Sequence, residues 1–146
     1  MNHARDWILA ALAAVGAAVA KALGGWDTAL ALLLCFMAAD YATGLLVALV
    51  WHKSNKTASG AASSAAGFKG LLRKAVQLLV VFLAAQMDRV LQLDYVRTAA
   101  CLFYVANEGL SILENTAVMG VPYPAFVRGM LDVMREKNNG EAHDGV

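Results

Sequence analysis

Residues 28 to 51, TALALLLCFMAADYATGLLVALVW, form a 24-residue apolar run with one charged side chain, Asp40, at its centre. At about 1.5 Å of rise per helical residue, such a run crosses the roughly 30 Å hydrocarbon core of a bilayer. A carboxylate at that depth is costly unless it faces protein or water. The run therefore requires a helix, an apolar solvent outside it and a polar partner for Asp40.

Three further apolar segments lie at 7–23, 75–91 and 96–115. Hydrophobic residues make up 60% of the 146-residue chain, more than a soluble domain of this size can bury. Alternation at period two is absent, which argues against a barrel and leaves helices to satisfy the backbone in lipid. The fold class predicted is all-α: an integral membrane bundle of four transmembrane helices followed by a C-terminal amphipathic helix. The spans number three if the first, Ala-rich segment is a cleaved signal peptide or peripheral. The predicted division is a transmembrane domain over 1–123 and a cytoplasmic amphipathic helix with a disordered tail over 124–146.

Charge sets the orientation. Lys53, Lys56, Lys69, Arg73 and Lys74 lie between the second and third segments with no acidic residue among them, and Arg128, Arg135 and Lys137 follow the fourth. The positive-inside rule places these flanks in the cytoplasm, and four spans place both termini there. Lys69, Arg73 and Lys74 form a basic stretch at the membrane surface. Arg89 and Arg97 are the exception, because they border a turn on the opposite side. Asp88 and Arg89 are expected to snorkel from the outer end of the third span. In the tail, Phe126, Val127, Met130, Leu131 and Met134 share one helical face, and Pro124 suits the first turn.

The net charge of +1 gives no reason to expect a nucleic-acid partner. No phosphate-binding glycine pattern occurs, and His3, His52 and His143 are scattered near ends and loops. Cys35 and Cys101 are expected to be buried as small hydrophobes. No catalytic constellation, metal site or cofactor site is predicted, and the chain is not expected to be an enzyme.

The polar residues inside the spans carry the functional expectation. Asp40, Thr43 and Gly44 share a face of the second helix. On the fourth, Asn107, Ser111 and Glu114 share one face, and Glu108, Ser111 and Asn115 an adjoining one. Equal residue counts from the starts of the two spans set Asp40 level with Asn107 and Glu108. The same counting sets Glu114 and Asn115 level with Arg73 and Lys74. These residues are either interhelical glue or a pore-lining or intersubunit polar face.

Several motifs occur in order: DYATG at 40–44, SAAGFKGLLRK at 64–74 and NEGLSILENTAVMGVPYP at 107–124. In these the chain resembles the phage holins of the toxin secretion/phage lysis type, which include clostridial toxin-release holins. The resemblance covers most of residues 30 to 135. It implies a small multi-pass protein of the bacterial inner membrane that forms homo-oligomers. Such proteins open lesions that depolarise the membrane and release endolysin or another secreted protein. The implied partners are further copies of the chain, the lipid bilayer, endolysin as a functional partner and an antiholin. The competing expectations are a non-lytic accessory or structural membrane protein and a small ion channel subunit.

Overall fold

The structure is a computed structural model that describes residues 3–54, 59, 61–130 and 132–133. The described residues are mostly helical and include no strand. Four long helices follow in order: α1 (His3–Ala22), α2 (Thr28–Leu46), α3 (Ser64–Leu91) and α4 (Val96–Val118). The end of α2 widens into a π turn over Val47–Trp51, and the chain leaves it through His52 at φ 50°. With that turn the second helical segment occupies the predicted interval.

The third helix starts earlier than expected. Residues 64 to 74, ahead of the predicted 75–91 span, belong to α3, because Ser63 Oγ accepts the Ala66 amide at 3.5 Å and Ala65 and Ala66 are strong helix formers. Residues 55–58 and 60 lie outside the described residues. In the tail, residues 125–130 and 132–133 are helical. The Pro124 carbonyl opens this segment by accepting the Val127 and Arg128 amides at 3.1 and 3.2 Å. Phe126 and Met130 are exposed there. Leu131 and the predicted disordered tail lie outside the described residues.

Two compact units divide the chain: Met1–Cys35 with Lys69–Val105, and Phe36–Phe68 with Ala106–Val146. In the first unit, Leu23, Leu30, Leu33, Val81, Ala84, Ala85 and Cys101 are buried, together with Gln77 and Arg97. In the second, Met37, Val47 and Ala48 are buried together with Asp40 and Glu108. The large apolar side chains lie mostly on the outside. No residue of α1 is buried. The outward face of α3 carries Val76, Leu79, Val80, Leu83, Met87 and Val90, and Val90 is 80% exposed. Cys35 is exposed on α2, contrary to expectation, whereas Cys101 is buried.

Two helical segments, His3–Ala22 and Thr28–Trp51, are long and apolar enough to cross a membrane. The average over α3 is lowered by Lys74, Gln77, Gln86 and Asp88, which are buried or half-buried, while its exposed face between Arg73 and Arg89 is apolar. A helix with polar residues turned inward and apolar residues turned outward suits a lipid surround rather than water.

Candidate functional site

Two polar stations are built into the helices, one in each unit. The first gathers at the end of α1. Lys21, Ala22 and Leu23 leave carbonyls that no further helical turn can satisfy. Gly24 and Gly25 close the helix with positive φ, the Gly25 amide reaching Ala20 O at 2.8 Å and the Gly24 amide Lys21 O at 3.2 Å. Side chains from α3 and α4 complete the carbonyls of this end. Arg89 Nη2 donates to Lys21 O at 2.7 Å, and Gln86 Nε2 donates to Ala22 O at 3.3 Å. Arg97 Nε donates to Leu23 O at 2.5 Å and its Nη2 to Gly25 O at 2.8 Å.

Arg97 is the centre of this station. It is only 8% exposed, and its Nη1 pairs with Asp27 Oδ2 at 2.5 Å. Asp27 caps α2 in turn, its Oδ1 accepting the Leu30 amide at 2.9 Å. The Arg97 hydrogen bond, and after it the Leu30 amide, hold the Asp27 carboxyl below its ordinary value, against an opposing cost of desolvation. Asp88 does for α4 what Asp27 does for α2. Its two oxygens accept the Val96 and Arg97 amides at 3.1 and 2.9 Å. Asp88 and Arg89 are therefore bonded in place, which corrects the expectation that they merely snorkel. A capping acid and a carbonyl-binding arginine gain more from orphan backbone groups than from reaching for water.

The second station lies between α2 and α4 of the second unit. Asp40 is 7% and Glu108 2% exposed. Asn115 Nδ2 donates to Thr43 Oγ1 at 3.0 Å and lies 3.3 Å from Asp40 Oδ1 and 3.4 Å from Asp40 O. Thr43 Oγ1 donates to Asp40 O at 3.1 Å. Close packing frames the set: a Cβ added to Gly109 would lie 3.3 Å from the Phe36 ring. One turn further, Thr116 Oγ1 and Tyr123 OH share a 2.5 Å hydrogen bond across the Gly120 turn.

Of the expected polar face, the structure brings together Asp40, Thr43 and Asn115. Asp40 bonds Asn115, two helical turns beyond the predicted Asn107. Counting residues from span starts does not fix which side chains meet, because side-chain direction and reach also decide it. Gly44, Ser111 and Glu114 are half-buried, and Glu114 makes no ion pair with a described residue. Asn107 is exposed, separated from buried Glu108 by the 100° step of the helix. Lys69 and Arg73 are exposed and Lys74 is half-buried. Among the described residues no group of three His, Cys, Asp or Glu is placed to hold a metal ion.

Sequence reasoning missed the first station. Its signals were present: a Gly-Gly pair after an apolar helix, an aspartate one residue before the next helix, and two arginines against the charge rule. They belong together only once the helix ends are adjacent.

The profile described as bacteriophage holin family matches residues 17–136. A probable holin of Bacillus phage phi105 is 45% identical over 71 residues, which cover 48% of this chain and 53% of that protein. An uncharacterized protein of Clostridium perfringens is 38% identical over 118 residues, covering 80% of this chain and 82% of its own. The uncharacterized protein YqxH of Bacillus subtilis is 35% identical over 120 residues, covering 78% and 80%. No solved structure matches the chain.

Proposed function

The chain belongs to the bacteriophage holin family, and from that premise we propose that it acts as a holin of the bacterial inner membrane. In this reading all four long helices cross the membrane, both termini are cytoplasmic, and residues 124–146 lie on the cytoplasmic side. Copies accumulate, associate and open lesions that depolarise the membrane and pass endolysin or another secreted protein. No chemical step is required of any side chain. The family match and the two apolar helices support a membrane location.

The observation that carries the proposal is the inverted distribution of polarity. Asp40 and Glu108 are buried, and Asp40 bonds Asn115, while leucine, valine and phenylalanine cover the exterior. In hydrocarbon this packing hides the acids against protein. Once copies assemble around water, the same acids would no longer bear a desolvation cost, so a wet ring gains stability that a lone copy lacks. The membrane potential would bias that balance, since a full transmembrane charge movement is worth about 2.3 kcal/mol per 100 mV. The paired arginines support the topology. Arg97 is neutralised by Asp27, so it is not a free charge holding that end in the cytoplasm, and Arg89 is tied to the Lys21 carbonyl.

One observation favours a second reading. Asp40 already bonds Asn115 within the chain, which is also what a purely structural accessory membrane protein would show. Co-expression with a cytoplasmic endolysin separates the two. Abrupt loss of potential followed by lysis is the outcome expected of a holin, and Asp40→Leu should change its timing. Continued growth with intact potential would leave the accessory role.

A further inference from the structure

Asn107 differs from Glu108 and Asn115 on the same helix, α4. Glu108 beside it is buried, and Asn115 is bonded to Asp40 and Thr43. Asn107 is exposed and makes no hydrogen bond to a described residue. Its neighbours on the outer side of the helix are apolar: Leu102, Phe103 and Ala106 are exposed, and Phe103, one turn away, is 68% exposed. A primary amide at this depth finds no partner among acyl chains, and the bundle does not supply one.

We infer that the Asn107 face of α4 is where two copies of this chain meet. The inference rests on the membrane reading above and adds to it the contact surface. The chemistry of the group selects the occupant. A carboxamide carries two donors and an acceptor, so the same group on a second copy completes it, donor to acceptor in both directions. A single asparagine in an apolar helix seam sets register and copy number in this way. Ala106, beside it, lets two helix backbones approach. Phe103 extends the contact by one turn. The pairing leaves Asp40, Thr43 and Asn115 inside each copy, so association does not require the internal station to open first.

Crosslinking in membranes tests this. Cys35 is exposed and is replaced by Ala, while buried Cys101 stays. Into that background go Asn107→Cys and, as an outward-facing control on α3, Val90→Cys. Oxidation should give at least about fivefold more covalent dimer at 107 than at 90. Equal or lower yield at 107 overturns the contact, as does modification of position 107 by a membrane-impermeant maleimide without dimer formation. Energy transfer between labelled copies diluted into liposomes gives a second measure. Asn107→Leu should weaken association roughly three- to tenfold, the range typical of interhelical polar contacts, and Asn107→Gln should retain it. Undiminished association of Asn107→Leu also overturns the proposal. Extraction of the wild-type chain from membranes by alkaline carbonate removes the membrane reading and this contact with it. A carbonate-resistant chain that fails the crosslinking test removes the contact alone.

Discussion

Arg97 and Asp27 meet at 2.5 Å across the ends of α4 and α2, and the same guanidinium holds the carbonyls of Leu23 and Gly25. One side chain thus closes α1, steadies the cap of α2 and stands in the first turn of α4. Because α1 buries no residue along its length, this polar junction is where it is secured.

Replacing Arg97 should therefore loosen α1 first. Arg97→Gln is expected to cost roughly 1–3 kcal/mol, the scale of lost hydrogen bonds to charged groups. The loss is moderated because Asp27 is 45% exposed at its side chain and rehydrates. Arg97→Lys should not restore it, since an ammonium cannot span three carbonyl and carboxylate acceptors with a planar fork. Denaturation in mixed micelles gives the magnitude. Hydrogen exchange should show protection falling in α1 before α4; uniform loss would contradict the clamp.

Gly24 and Gly25 separate backbone strain from crowding. Both have positive φ, 95° and 104°, so alanine is strained at either. A Cβ at Gly24 would lie 2.6 Å from Arg97 Cδ, whereas nothing lies within 4 Å of one at Gly25. Gly24→Ala is expected to destabilise more than Gly25→Ala, by about 1 kcal/mol or more for the displaced guanidinium bonds. In an Arg97→Gln background the difference should shrink. Persistence of the full difference there would mean that Arg97 is not what the methyl meets.

The Asp27 carboxyl titrates below its ordinary 3.8 in the folded chain. A depressed folded value means that its ionised form is favoured by folding. The stability it adds is fully present above 3.8 and is lost as pH falls through the lower folded value. Acid titration of stability in detergent should show this component for the wild type and lack it for Asp27→Asn. Flat behaviour of both chains below that pH would remove the pair as an acid-sensitive element.

Asp40 and Asn115 should be energetically coupled. A double-mutant cycle with Asp40→Ala and Asn115→Ala is expected to give about 0.6–1.7 kcal/mol of interaction, the range for interhelical polar pairs in membranes. The cycle Asp40→Ala with Asn107→Ala should be additive, because Asn107 is exposed and bonds no described residue. Coupling of 40 to 107 in place of 115 would restore the register expected from counting residues.

Much of the architecture could be read from local pattern. Helix positions follow from runs of leucine, valine and alanine, because hydropathy and helix propensity act over neighbouring residues. That is why the interval 28–51 and the start of α4 at Val96 appear where expected. The early start of α3 lies outside the apolar run and is signalled instead by Ser63, a serine that caps Ala-rich sequence. Motif order likewise points to the family, since DYATG and NEGLSILEN lie at positions along the chain, not in space.

The pairing of polar residues was not readable in the same way. Asp40, Thr43 and Asn115 are each visible as polar residues in apolar helices, but their meeting depends on which faces of α2 and α4 pack together there, which no periodicity encodes. Arg97 is a misplaced charge to a rule that counts residues, and the carboxylate that neutralises it, Asp27, stands 70 positions away. The amino-acid sequence by itself determined where helices form, which solvent their outer faces suit and which family the chain joins, all consequences of short-range chemistry. Tertiary structure alone decided which acid meets which amide and which arginine closes which helix, because those choices are made by distances across the bundle.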